Sequence, residues 1–279
     1  MKQKISLAHS PDSDDAFMFF ALAEGKVDDR GFEFVHELSD IETLNQRTRR
    51  GELDVSAISF HAYPDVAEAY ALLPHGASFG DGYGPVVVAR RKLAPEELDG
   101  AVVAIPGEKT SAALALRLWR PGTRTTVVPF DEILPRVREG ELAAGVIIHE
   151  GQLTYAAEGL HAVVDLGAWW REETGYPLPL GGNVIRKALG PETVRAVAAV
   201  LGESIAYGLA HREEALTYAM RFARDLDRDK ADRFVGMYVN DWTRGYGERG
   251  RRAIELFLGR AADAGLVPRV AVEFAGEAA

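Results

Sequence analysis

Apolar positions along the chain alternate between short β-branched runs and longer segments with helical spacing. Ile5 to His9, Phe32 to Leu38 and Val55 to Ser59 read as strands, and Asp15 to Glu24 and Ile41 to Arg50 between them carry a helical period. This βαβ rhythm predicts a parallel or mixed sheet covered by helices, with ligands held beyond the carboxyl ends of the strands. The rhythm then begins again. Ala101 to Ile105, Thr125 to Val128 and Ala144 to Ile148 read as strands, separated by helical segments at Thr110 to Arg120 and Asp131 to Glu139. Gly51-Glu52-Leu53, which leads into Val55 to Ser59, has a counterpart 89 positions later in Gly140-Glu141-Leu142, which leads into Ala144 to Ile148. Two similar α/β lobes are expected.

Two extended apolar segments, Pro85 to Arg90 and Leu180 to Arg186, read as crossover or hinge strands between the lobes. After the second the pattern is almost wholly helical, at Pro191 to Ala210, Arg212 to Asp225, Lys230 to Tyr238 and Glu248 to Ala264. The 279 residues have room for two domains. The expected arrangement is a discontinuous first lobe, 1–88 with 186–279, an inserted second lobe, 89–185, and a ligand cleft between them.

The 32 basic and 42 acidic residues leave a net charge of −10, which argues against a nucleic acid partner. With no cysteine, disulfides, zinc–thiolate sites, iron–sulfur clusters and thiol nucleophiles are excluded. The apolar start Ile5 to Ala8 stops at His9 and is followed by Pro11 and three aspartates, unlike a secretory segment. No apolar run approaches the roughly 20 residues that span a bilayer. A cytoplasmic location with no membrane and no obligatory protein partner is the expectation.

Several motifs fail on context. Gly76-Ala77-Ser78-Phe79-Gly80 has the spacing of a nucleophile elbow, but the glycine-rich Gly80 to Pro85 follows where a helix is needed, so these residues read as a flexible loop leading to the hinge. Those glycines also precede a strand, which excludes a dinucleotide fingerprint. Asp225-Leu226-Asp227-Arg228-Asp229 begins like a calcium loop, yet Lys230 and Gly236 stand where glycine and glutamate belong. His149-Glu150 lacks the second histidine of a zinc-protease helix. No metal site is expected.

Three places remain. Pro106 to Ser111 joins a strand to a helix, and there the free amides of Ser111 and Ala112, with the hydroxyls of Thr110 and Ser111, suit a carboxylate; a plain N-cap is the competing reading. Ser56, Ala57 and Ile58 end the matching strand of the first lobe, as ligand contacts or as small residues under packed helices. His149 follows the strand Ala144 to Ile148, at the rim where an imidazole can exchange a proton near neutral pH. A structural histidine is the alternative there. His9 also ends a strand, and Ser10 or Asp12 is suited to cap the helix that follows.

Ser10-Pro-Asp-Ser-Asp-Asp-Ala-Phe-Met-Phe, Asp40-Ile-Glu-Thr-Leu-Asn, Gly82-Tyr-Gly-Pro, Ile147-Ile-His-Glu, Val164-Asp-Leu-Gly-Ala-Trp-Trp and Gly175-Tyr-Pro-Leu-Pro-Leu-Gly together resemble the family of 1,4-dihydroxy-6-naphthoate synthases, enzymes of the futalosine route to menaquinone. The resemblance implies a two-lobed type II periplasmic-binding-protein fold and a cofactor-free carbon–carbon lyase. Its substrate would be cyclic dehypoxanthinylfutalosine, a carboxylate. It also implies His149 as general base and substrate contacts at Ser56, Ala57, Ile58, Ser111 and Ala112. Family members often read Ser-Pro-Cys-Pro-Asn-Asp where this chain has Ser10-Pro-Asp-Ser-Asp-Asp, so acid is added beside the cleft. The sister activity, chorismate dehydratase, is disfavoured by the absence of a Tyr-Leu-Asn type motif. A non-catalytic solute-binding role is disfavoured by the absence of an export signal and by the histidine at the rim.

Overall fold

The computed structural model describes residues 2–223 and 227–276. Its first elements are β1 (Gln3–His9), α1 (Ser13–Ala23), β2 (Phe32–Leu38), α2 (Ile41–Arg49) and β3 (Val55–Ser59). β1 lies between β2 and β3 and is parallel to both. Two short strands follow, β4 (Tyr70–Leu72) and β5 (Ser78–Gly80). The chain then enters a second sheet with β6 (Val86–Ala89) and repeats the opening order as β7 (Val102–Ile105), α3 (Ser111–Trp119), β8 (Arg124–Val127), α4 (Phe130–Glu139) and β9 (Ala144–Ile147). Here β7 lies between β8 and β9, again parallel to both.

The two halves of the sequence pattern thus fold with one topology, β2-β1-β3 and β8-β7-β9. The repeated Gly-Glu-Leu has the same job in each. Gly51 (φ 71°) and Gly140 (φ 85°) take the left-handed conformation that ends α2 and α4 and turns the chain toward a buried strand. Glycine adopts it without Cβ strain.

The chain continues through α5 (Gly151–Thr154), β10 (His161–Asp165), α6 (Leu166–Thr174) and β11 (Leu178–Arg186). β6, read as the first crossover, pairs with β9 and β10 inside the second sheet. β11, read as the second, pairs antiparallel with β3, β4 and β5 of the first. Helices α7 (Pro191–Ala210), α8 (Arg212–Ala219), α9 (Arg228–Tyr238), α10 (Asp241–Arg244) and α11 (Gly247–Asp263) complete the chain. Each sheet with its covering helices forms a lobe. Of the acidic run considered for calcium, Asp225 and Leu226 lie outside the described residues, as does the end of the helix expected to reach Asp225. Asp227 caps α9 by accepting from Lys230 N–H at 2.8 Å.

By length and composition α7 is apolar enough to cross a membrane, although Glu192, Arg195 and Glu203 interrupt its apolar run. It packs along α1 and buries Val197, Leu201 and Ile205 there. The largest core cluster is continuous through both lobes and includes Phe60, Val87, Ile105, Trp170, Leu178 and Phe257. Trp170 is fully buried, edge-on to Phe257 at 5.3 Å. It belongs to α6, an element the sequence pattern did not reveal.

The glycine-rich stretch before β6 is packed rather than loose. Ser78–Gly80 is a strand on β11, and no helix follows it. Tyr83 Oη donates to Met237 O of α9. Gly84 lies so close to Gly167 of α6 that a Cβ on Gly84 would sit 2.9 Å from the Gly167 Cα. Two of the segments that carry the family resemblance therefore meet backbone to backbone.

Candidate active site

The carboxyl ends of β1, β3, β7 and β9 all deliver residues to one cavity between the lobes, of about 780 Å³ counted to its open mouth. From the first lobe come Ser10, Asp14 and Asp15 after β1, Ala57, Ile58 and Ser59 at the end of β3, and Leu180 to Asn183 of β11. The second lobe supplies Thr110, Ser111 and Ala112 at the start of α3, with Ile148, His149 and Gln152 after β9. Phe234 and Tyr238 of α9 close one side.

Of the residues singled out in the sequence, Ala57, Ile58, Thr110, Ser111, Ala112 and His149 share this cavity. Ser56 does not line it. Its side chain is fully buried and its hydroxyl donates to Ala57 O at 2.9 Å, so Ser59 stands at the strand end instead. Ser59 is fixed by the buried Asn45, which accepts Ser59 N–H at 2.9 Å and donates to Ser59 Oγ at 3.2 Å.

Both hydroxyls at the start of α3 are engaged. Thr110 is its N-cap, accepting from Ala113 N–H at 3.2 Å and donating to Gly107 O at 2.8 Å. Ser111 Oγ accepts His61 N–H at 3.3 Å and donates to Leu180 O, a strut from one lobe to the other. What α3 offers a ligand is therefore its first amides, Ser111 and Ala112 N–H, which have no carbonyl partner inside the helix, and the positive end of its dipole. Among the described lining residues there is no lysine or arginine, so an anionic group in the cavity has to be met by such dipoles.

His149 has the left-handed backbone angle φ 55°, unusual for a residue with a Cβ. With the Gln152 amide turned so that Nε2 donates to Gly84 O (2.6 Å) and Tyr238 Oη (2.7 Å), its Oε1 accepts His149 N–H at 3.2 Å. The imidazole meets Phe130 edge-on at 5.0 Å, and its Nδ1 lies 3.2 Å from Asp12 Oδ2 of the first lobe. Further lobe-to-lobe contacts hold the cavity in this form. Lys109 pairs with Asp65 at 2.6 Å, Glu42 accepts Lys109 N–H at 3.1 Å, and the His61 ring meets Thr110 O at 3.0 Å.

Acid collects at the start of α1. Burial pushes the Asp14 carboxyl well above the usual carboxylate range, and Asp15, Asp12 and Glu150 add to the shift. Burial also raises Asp15, to about 6, although hydrogen bonds from Ser10, including its N–H at 2.7 Å, work against it. Asp14 therefore keeps its proton well above the pH at which an ordinary carboxyl loses it. Behind it, burial lowers His9 and His36 to about 4, so the pair Nε2–Nδ1 at 3.2 Å is neutral and one ring donates to the other. Tyr238 is buried and keeps its phenolic proton. Sequence reasoning missed Tyr238 and Phe234, which come from a distant helix and carry no local signal. Among the described residues no group of three or more His, Asp or Glu side chains could hold a metal ion.

Two α/β lobes, each built on its own sheet, with the ligand space between facing strand ends, define the class of two-lobed periplasmic-binding-type proteins. Solved structures agree. The chain superposes on the ligand-binding component of a Staphylococcus aureus ABC-type import system (TM-score 0.72, 12% identity, 97% of this chain and 94% of that one). It also matches the periplasmic aliphatic sulphonate binding protein of Escherichia coli (TM-score 0.64, 12% identity, 96% and 90%). These likenesses concern the fold. A crystal structure of an Archaeoglobus fulgidus protein is much nearer, with TM-score 0.91 and 45% identity over 95% of this chain and 98% of that one. Residues 5–263 match the family model described as menaquinone biosynthesis, and the chain belongs to that family. Relatives named 1,4-dihydroxy-6-naphthoate synthase are similar along nearly their whole length. The Thermus thermophilus protein is 41% identical over 95% of this chain and 96% of its own, and that of Streptomyces coelicolor 39% over 95% of each.

Proposed function

We propose that this protein is a 1,4-dihydroxy-6-naphthoate synthase, a carbon–carbon lyase that acts on cyclic dehypoxanthinylfutalosine without a cofactor. The observation that carries the reading is the meeting, in one cavity, of the His149 imidazole and the amide end of α3. The first supplies a base and the second a seat for the substrate carboxylate. His149 lies in the Ile147-Ile-His-Glu segment by which the sequence resembles its relatives.

In this reading the carboxylate accepts from Ser111 and Ala112 N–H, and the apolar bicycle packs against Ala57, Ile58 and Leu180. His149 removes a hydroxyl proton, the sugar ring opens, and the carbon–carbon bond breaks in retro-aldol fashion. The electron pair released goes into the bicycle as it becomes the naphthalene, so aromatisation drives the step. A small sugar-derived ketone leaves. Cavity walls from both lobes align the reacting groups and exclude water.

The test is incubation of purified protein with the cyclic futalosine derivative and, separately, with chorismate, and identification of products by mass. The dihydroxynaphthoate is expected from the first alone. Product from chorismate would assign the sister dehydratase, and product from neither would leave a binding role. In the active protein, His149→Ala should reduce turnover by at least about 10²-fold with ligand binding retained. Unchanged turnover in that variant would remove the histidine from the reaction.

A further inference from the structure

We infer that Asp12 and His149 form a functional pair across the lobes, in which Asp12 holds the imidazole with Nδ1–H toward its carboxylate and leaves Nε2 as the proton acceptor. The inference rests on the reading of His149 as the base and deepens it. Asp12 is here a positioning residue.

The geometry supports it from both sides. Asp12 Oδ2 lies 3.2 Å from His149 Nδ1, the Asp12 side chain is 2% exposed and that of His149 19%. Asp12 is the N-cap residue of α1, yet its side chain makes no capping hydrogen bond to that helix. The sequence expectation of an Asp12 cap gives way to a contact with the opposite lobe. The ring has little freedom, since Gln152 holds its backbone and Phe130 its edge.

A neutral imidazole carries one proton, and an acceptor fixed at Nδ1 decides where it resides. With the carboxylate there, Nε2 keeps its lone pair. When Nε2 takes a proton, the positive ring faces a negative partner in a poorly solvated place, where the attraction is strongest. The other ionisable groups around the ring are Asp14 and Asp15 from α1, Glu150 beside it in the chain and Tyr238 from α9. Burial keeps the Asp14 carboxyl neutral, so it adds little, and Asp12 is the carboxylate in direct contact with the ring. The contact bridges the strand ends of the two sheets, with Asp12 following β1 and His149 following β9.

Ring-nitrogen NMR of histidine-labelled protein tests the pair without any substrate, with His149→Gln assigning the signal. Neutral His149 should be the Nδ1–H tautomer in the wild type and shift toward Nε2–H in Asp12→Ala. In Asp12→Asn, which keeps the shape, its titration midpoint should fall by about half a pH unit or more. That second variant decides the matter if Asp12→Ala does not fold. With the cyclic substrate, the acid limb of kcat/KM for Asp12→Asn should move to lower pH by a similar amount, and kcat should drop about tenfold or more while KM stays within a few-fold. An Nε2–H tautomer in the wild type, or a midpoint and limb unmoved in Asp12→Asn, overturns the pair. If the wild type turns nothing over, the proposed activity fails, while the ring spectra still decide whether the pair exists.

Discussion

An alanine at Gly167 would place its Cβ 1.9 Å from Tyr83 O, 2.2 Å from Tyr83 C and 2.7 Å from Gly84 N. All three atoms are backbone, so no side-chain rotation can relieve the overlap. Considered as a helix residue alone, alanine would gain about 1 kcal/mol over glycine. Against that, the Tyr83–Gly84 segment must move by about an ångström, and overpacking of this kind costs about 1–3 kcal/mol. The movement also strains the Leu166 N–H to Pro85 O bond, 2.9 Å long, and a buried bond lost costs about 1–3 kcal/mol. Taken with the helix-propensity gain, the expected net loss is about 1–5 kcal/mol, centred near about 3 kcal/mol. Urea unfolding should show it as a lower midpoint at unchanged slope, and heating as a Tm lower by roughly 5–10 °C. Gly259 of α11 is the control, since a Cβ there meets no heavy atom within 4 Å. Gly259→Ala should therefore stabilise by about 0.5–1 kcal/mol. A Gly167→Ala protein as stable as the wild type would refute the claim that this contact is fixed.

Three further outcomes are expected. Burial holds His61 neutral down to about 4, against an ordinary 6.5, so its contribution is lost as pH falls through that window. Between about pH 7 and about pH 4.5 the wild type should lose about 2–3 kcal/mol more unfolding free energy than His61→Gln, at about 1.36 kcal/mol per pH unit; parallel curves would contradict the assignment. Thr110→Ala removes the α3 cap and should cost about 1 kcal/mol in denaturant, with Thr110→Ser restoring most of it. The Asp14 carboxyl is raised in the folded protein, so its stabilisation is greatest at low pH and is lost as pH rises above the ordinary carboxylate range. Asp14→Asn should accordingly raise Tm relative to the wild type more at about pH 8 than at about pH 4 in scanning calorimetry.

Much of the fold was legible because the repeated unit uses strong local signals. β2, β3 and α7 have the bounds expected from periodicity, and both left-handed glycines fall at the expected helix ends. α6 was missed despite Asp165, whose carboxylate accepts from Gly167 and Ala168 N–H, and Gly175 in the left-handed C-cap. Its nine residues hold two adjacent tryptophans and an early glycine, too short a stretch for a 3.6-residue period to emerge. The site was legible where chemistry stands at a strand end, as with His149 and the α3 amides. It was not legible where tertiary packing decides. Alternation in β3 cannot say that Ser59 reaches the cavity and Ser56 does not. The same holds for Asp12, whose local sequence suggests a helix cap while its partner is 137 positions away.

With His149 as the base proposed above, its backbone sets two selective pressures against each other. A left-handed conformation costs a side-chain-bearing residue about 1 kcal/mol, and glycine is free of that penalty. A library at this codon screened for thermal resistance should enrich glycine and asparagine, whereas one screened for product should keep histidine alone. Ranking substitutions at this one position by the two screens would give opposite orders, the signature of a local fold maintained for chemistry and not for robustness.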